Sequence, residues 1–389
     1  MSSTSFSNLS KLDLSYNGLK KIDSQAFNAF NNTLETLMLQ NNEINSYNLK
    51  FLQQLTALKD LDLGFNLITS LQSSSLLFRH SANLQFLSMQ GNSIQFSELT
   101  KDKENDGQKR ESPFEGLSRL QRLNLARNGI KYLPADLFKP MSQLKSLILD
   151  KNVVENLNEF TFDGLFASLM NISLQNAKIN AESVQCLRHF ERLERVKLGF
   201  NEIDRLDWAS LFAKTSRTLA NLDLQHNRIH TVEFDETTNS GVPPLLTVME
   251  SLQELDLSNN ELCSVNANLV NRAPKLKNLG LAQNPLYCDC HLLPLYEWTQ
   301  RRFDADMRSF IQWQCEVQTS STHPEEIVDS SASLGGDFEF INSNPDNSHK
   351  YRKFTSLSVE DFVCNSTRPS RCTKETRYII AEYIFRNQR

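Results

Sequence analysis

No apolar run in the 389 residues approaches the ~18 that a membrane-spanning helix needs. The opening, MSSTSFSNLS, also lacks the apolar stretch of a secretory signal. Glycine (12) and proline (11) are too few for collagen-like or long disordered text. Positive charge is not in excess: 41 Lys and Arg stand against 46 Asp and Glu, a net charge of -5, which argues against a broadly basic nucleic-acid binder. Catalytic text is missing as well. The 7 histidines are scattered, and no G-x-S-x-G, H-E-x-x-H or phosphate-cradling glycine loop occurs. No catalytic residue, cofactor site or metal ligand is therefore assigned.

What is present is one phrase repeated. Aligned on L-x-x-L-x-L-x-x-N, eleven segments fall into register, starting at Leu9, Leu34, Leu58, Leu84, Leu120, Leu144, Leu169, Leu193, Leu219, Leu252 and Leu276. Most starts lie 24 to 26 residues apart, inside the range of leucine-rich repeats. The alternation in L-x-L predicts a short strand with leucines inward and the intervening residues outward. One coil cannot bury its own leucines, so neighbours must stack and their strands pair as a parallel sheet. Where the chain leaves the sheet, backbone groups need partners, and an asparagine side chain can both donate and accept there. The ladder reads Asn17, Asn42, Asn66, Asn92, Asn128, Asn152, Asn201, Asn227, Asn260 and Asn284. Ala177 interrupts it in the seventh coil, and Asn176 stands one place early, so a local distortion is expected there. Return legs carry Phe27 with Phe30, Phe114 with Leu117, Phe138 with Met141 and Phe162 with Leu165, read as a stacked apolar spine.

Residues 6–287 thus resemble the leucine-rich-repeat superfamily, with the period common in extracellular receptors and matrix proteins. The expected fold is α/β: a solenoid with a curved parallel sheet on its concave face and short helical or irregular segments behind. The stretch NPLYCDCHLLPLYEW then places Cys288 and Cys290 at the open end, and Leu292, Leu295, Tyr296 and Trp298 could lie across it. This resembles the cysteine-rich C-terminal cap of extracellular repeat proteins such as Slit and the Toll-like receptors. The resemblance implies the pairs Cys288–Cys315 and Cys290–Cys364, and with them an oxidising compartment. Zinc would need better-spaced ligands than C-x-C-H with distant cysteines, and no C-x-x-C redox motif occurs. Cys372 could compete for Cys364, Cys186 reads as a small buried thiol, and Cys263 stays open. The cap is expected over 284–372 with a flexible insertion at 317–350, ahead of a tail at 373–389.

Sequons at Asn8, Asn31, Asn171 and Asn365 agree with glycosylation on the secretory route. The text enters the first coil without a front cap, which suggests a piece of a longer protein. Two coils are overlong, with ELTKDKENDGQKRESP and DETTNSGVPP as the excess. The function expected is non-enzymatic recognition of a protein ligand or cell-surface partner by an extracellular ectodomain, adhesion or matrix protein. The rival is an intracellular scaffold or regulatory subunit, which the missing signal would fit and the cap cysteines would not. Candidate contact residues are the outward Arg122, Arg127, Lys145, Lys151, Arg195 and Lys197, a basic middle flanked by Glu35, Asp60, Asp62, Asp223, Glu254 and Asp256. Phe65 and Phe86 form a second, aromatic candidate. A glycan at Asn171 would cover the middle, so recognition is expected outside it. Mass mapping of the secreted, non-reduced protein should link Cys288 to Cys315 and Cys290 to Cys364. Loss of either bridge should cost roughly 2–5 kcal/mol, and free thiols or stoichiometric zinc would refute the cap.

Overall fold

A computed structural model describes residues 8–71, 77–96, 112–155, 157–230, 249–263, 265, 268–287, 292–301, 314–317 and 350–353. Each repeat contributes one three-residue strand: β1 (Lys11–Asp13), β2 (Thr36–Met38), β3 (Asp60–Asp62), β4 (Phe86–Ser88), β5 (Arg122–Asn124), β6 (Ser146–Ile148), β7 (Asn171–Ser173), β8 (Arg195–Lys197), β9 (Asn221–Asp223), β10 (Glu254–Asp256) and β11 (Asn278–Gly280). They form one parallel sheet in chain order. The middle residue of each strand pairs with the middle residue of the next, as in Leu61↔Leu87 and Leu87↔Leu123. From β2 onward that residue is buried, which is why a one-residue slip is forbidden: it would turn the leucines out to solvent. Two short helices, α1 (Trp208–Phe212) and α2 (Asn268–Arg272), and several 3-10 turns such as Ser183–His189 make the return legs.

The phenylalanine spine is longer than the F-x-x-L spacing suggested. Phe27, Phe51, Phe78, Phe114, Phe138, Phe162, Phe190 and Phe212 are buried, one in each of the first eight coils. Neighbouring rings meet at 5.5 Å (Phe27–Phe51), 6.5 Å (Phe78–Phe114) and 5.8 Å (Phe138–Phe162 and Phe162–Phe190), within range for aromatic pairs.

The asparagine column sits behind the sheet exits, buried from Asn42 onward. Asn152 shows its work: Oδ1 accepts from the N–H groups of Asn128 (3.1 Å) and Ile130 (3.0 Å), while Nδ2 donates to the carbonyls of Leu125 (3.0 Å) and Leu149 (2.7 Å). Each side chain therefore staples its own coil to the preceding one. At Ala177 the staple is missing, yet β6, β7 and β8 stay in register, so the sheet is not distorted. The change is confined to the turn. Val154 N–H reaches the Ala177 carbonyl at 3.3 Å, and Lys178 takes φ 58°, a left-handed conformation that Gly18 and Gly129 occupy at the same place in their coils.

At the far end, Leu292 and Leu295 are buried against the last coil, and Tyr296 and Trp298 pack beside them on α3 (Leu293–Arg301). A second sheet joins β12 (Leu286–Tyr287) in parallel to β13 (Gln314–Val317), which pairs antiparallel with β14 (Lys350–Lys353). The proposed insertion 317–350 begins and ends at one cross-strand pair, Val317↔Lys350. Its interior, 318–349, lies outside the described residues, as do Cys288, Cys290, Cys364 and Cys372 and the tail 373–389.

Restoring the absent staple should raise stability. Ala177→Asn is expected to add about 1 kcal/mol in chemical denaturation. Asn201→Ala should remove about 2–4 kcal/mol, because it strands the buried N–H groups of Ala177 and Ile179.

Candidate functional site

The sheet's outward face is built from the two residues flanking each buried strand centre, together with the residues where the chain exits. Just before every ladder position one residue is left-handed: Tyr16, Asn41, Phe65, Gly91, Arg127, Lys151, Asn176, Phe200, His226, Asn259 and Gln283, all with φ between 52° and 68°. Their N–H groups continue the sheet bonding, as in Phe65 N–H to the Gln90 carbonyl at 2.7 Å. Such a conformation favours Gly and Asn and disfavours large side chains. The recurrence of Gly or Asn at 41, 91, 176 and 259 is the trace of this column in the sequence. Asn176 is thus in register, not early.

This separates the two aromatic candidates. Phe86 lies on β4, on the face of the sheet, with the Arg122 guanidinium 5.2 Å from its ring centre. Phe65 stands at the left-handed turn and lies over Gly91, where an added Cβ would come within 2.4 Å of its ring. Its role is at least partly to cover that turn. Phe200, at the same position five coils on, is 49% exposed and stacks on His226 at 4.3 Å. Sequence reasoning missed His226. Burial holds its pKa below the ordinary histidine range, with nearby Asp256 and Asp223 opposing. The stability contributed by the neutral ring is therefore present above the ordinary histidine value and lost as pH falls through the lowered one.

The charged candidates divide by what they are bonded to. The flanking acids, expected as solvated strand residues, all have partners. Asp62 accepts the Gly64 N–H at 2.8 Å, Asp223 the Gln225 N–H at 3.1 Å, and Asp256 the Ser258 N–H at 2.9 Å. Asp13 does the same for Ser15, and the Ser15 hydroxyl and N–H hold its carboxyl below the usual range. Each carboxylate ties down the residue two places on, as the chain leaves the strand. In the seventh coil Ser173 ends the strand, and Asp150 of the preceding coil caps the Gln175 N–H, at 2.9 Å. Asp60 accepts from Thr36 at 3.3 Å, Glu254 from Asn221 and Asn278, and Glu35 pairs with Lys59 at 2.7 Å.

The central cations differ. Arg122, Arg127, Lys145, Lys151, Arg195 and Lys197 are exposed, and none has a carboxylate within 4.0 Å among the described residues. Arg195 reaches Asn171 Oδ1, at 3.4 Å. Asn171 is half-buried, and its Nδ2 has no partner among the described residues. Three cations on the return legs are paired: Lys139 with Asp136 and Asp163, Arg188 with Glu159, Arg217 with Glu250.

Cys263 is disulfide-bonded, which closes the question its sequence position left open. With Cys186 free, its partner is one of Cys288, Cys290, Cys315, Cys364 and Cys372. Cys186 is a buried thiol whose pKa burial pushes up to about 12, so it is chemically inert. No cluster of three or more metal-ligating side chains occurs among the described residues, and no described helix is long and apolar enough to cross a membrane. Substitution should expose the division of labour between the charges. Asp62→Ala and Asp256→Ala should each cost about 1 kcal/mol of stability, while Lys145→Ala and Lys197→Ala should stay within about 0.5 kcal/mol of the parent.

Family models described as leucine-rich repeat match residues 7–68 and 110–154, and 251–271. Mouse CD180 antigen is 28% identical over 252 residues, covering 64% of this chain and 34% of that protein. Toll-like receptor 10 of Bos taurus is 30% identical over 200 residues, 45% of this chain and 22% of that one. Lumican of Coturnix japonica is 26% identical over 230 residues, 54% and 60%. The chain spans less than two thirds of each of these relatives. A chain of the octameric complex of Latrophilin 3, Unc5D and FLRT2, in which FLRT2 supplies the leucine-rich repeat, superposes with TM-score 0.60 at 20% identity, over 77% of this chain and 82% of that one. The mouse RP105/MD-1 complex gives 0.53 at 20%, over 77% and 50%. At such identities the likeness is one of fold. Its eleven stacked coils and the matching models give the chain a leucine-rich-repeat fold, and receptors and extracellular matrix proteins are among its relatives.

Proposed function

We propose that the protein is a non-enzymatic extracellular recognition module, part of a receptor ectodomain, adhesion protein or matrix protein, which binds a protein partner on the outward face of its sheet. The observation that carries this reading is that face itself. Eleven strands present paired columns of side chains on a rigid backbone, and several of the largest and most charged have no bonding role in the fold. A module of this build keeps its register while its outward residues vary, which suits recognition. Leucine-rich-repeat relatives seen in complexes, FLRT2 with Latrophilin 3 and Unc5D, and RP105 with MD-1, lend support.

The bonded Cys263 favours an oxidising compartment, and the pairs Cys288–Cys315 and Cys290–Cys364, which leave Cys372 as the partner of Cys263, would extend that bracing through the cap. Asn8, Asn31 and Asn365 are the proposed glycan acceptors, with Asn171 left bare among the central cations. Asn8 is exposed and Asn31 half-buried at the edge of its return leg, so both leave room for a sugar. The full protein, purified from its native source, is expected to carry glycosidase-sensitive mass on these sequons and an oxidised Cys263, and to crosslink to a protein on its sheet face. A cytosolic protein with a reduced Cys263 would overturn the extracellular reading.

A further inference from the structure

Among the described residues the six central cations have no carboxylate partner, Arg122 resting over the Phe86 ring and Arg195 reaching Asn171. All six flanking acids are engaged, four by hydrogen bonds from backbone or side-chain amide groups, one by Thr36 and one by Lys59. The return-leg cations named above are paired across coils. Holding exposed like charges together on one face carries a repulsive cost. They are also concentrated. Arg122 on β5 and Arg195 on β8 stand three strands apart, about 14 Å at ordinary strand spacing. Lys145 falls just before β6, Lys197 ends β8, and Arg127 and Lys151 project from the adjoining turns. Between them lie half-buried apolar side chains: Phe86, already against Arg122, with Ile148 on β6 and Met170 just before β7.

We propose that this band, across coils four to eight, is the docking surface for an acidic, partly apolar segment of a protein partner. The inference rests on the recognition reading above and gives it a place and a chemistry. Unpaired cations attract the acidic groups and steer the encounter, and the interleaved Phe86, Ile148 and Met170 supply the apolar contact from which interfaces take most of their affinity. A sulfated polysaccharide would use the cations and leave those apolar positions idle, so their presence favours protein. This places the partner on the centre of the sheet, whereas a glycan at Asn171 would push it outward. The Asn171 side chain opens onto the same band, beside Arg195.

The test uses the full chain, secreted as the Asn171→Gln variant so that no sugar shields the face. The probes are a labelled peptide alternating glutamate with leucine and a heparin fragment, read by fluorescence anisotropy at physiological salt. The peptide should bind, and its affinity should fall roughly tenfold or more in Lys145→Glu/Arg195→Glu and also fall in Ile148→Ser. The milder Lys145→Gln/Arg195→Gln pair should show a smaller loss in the same direction, with thermal midpoints confirming that each variant is folded. Arg217→Glu, on a return leg, should bind as the parent does. Equal loss in Arg217→Glu would overturn the proposal. So would heparin binding tighter than the peptide and indifferent to Ile148→Ser, which would assign the band to a sulfated polysaccharide. If a glycosylated protein with oxidised Cys263 crosslinks to a partner elsewhere while the band variants change nothing, the band falls and the recognition reading stands.

Discussion

A column of carboxamides holds the molecule together. Every coil must bend out of a sheet only three residues wide, and each bend leaves backbone N–H and C=O groups facing a leucine core that offers them no water. Asparagine is short enough to stay at the bend and has both a donor and an acceptor, so one side chain serves two coils at once. The leucines on one side and the phenylalanine stack on the other can then be wholly apolar, because polar demand has been collected in a single line. A hydrophobic replacement in that line would fill the space and leave the carbonyls stranded.

With the bends satisfied from within, the outward face is released from structural duty, though unevenly. The acids at the strand ends are second-tier supports that catch the chain two residues later, which explains their recurrence at Asp13, Asp62, Asp223 and Asp256. The seventh coil shows how such a system absorbs faults. It lacks its ladder asparagine. The Val154 N–H, which that side chain would have accepted, turns to the Ala177 carbonyl, and Asp150 reaches across to the Gln175 N–H. Support in a stacked molecule comes from neighbours, so a defect in one coil is shared by the two beside it.

The repeat register, the inward leucines and the ladder could all be read from the sequence, because each is imposed by a rule that recurs every coil. The cap helix was legible too: Leu292 and Leu295 had no other reason to follow the last asparagine so closely. What could not be read was geometry that many residue types can adopt at a cost. Phe65, Phe200, Arg127 and Lys151 give no hint of a left-handed backbone; only their register partners Gly91 and Asn41 do. The use of the acids was hidden for a similar reason, since a carboxylate in LDL looks the same whether it meets water or the amide two residues on. Cys263 was ambiguous because pairing depends on which chain segments meet in space. Phe65 and Phe86, adjacent in the alignment, part company in the fold: one covers a turn and the other lies on the sheet.

The pair Val317↔Lys350 has a consequence for how the cap could change over time. The chain leaves and re-enters the cap through neighbouring positions of one antiparallel ladder, four residues on each side. Whatever lies between is a cassette plugged into a fixed socket. Lengthening it adds only slowly to the entropy of closing the loop, and neither mouth of the socket has to move. Descendants of this sequence could therefore trade the contents wholesale, swapping one inserted passage for another, while the bracing of the solenoid's end stayed as it was.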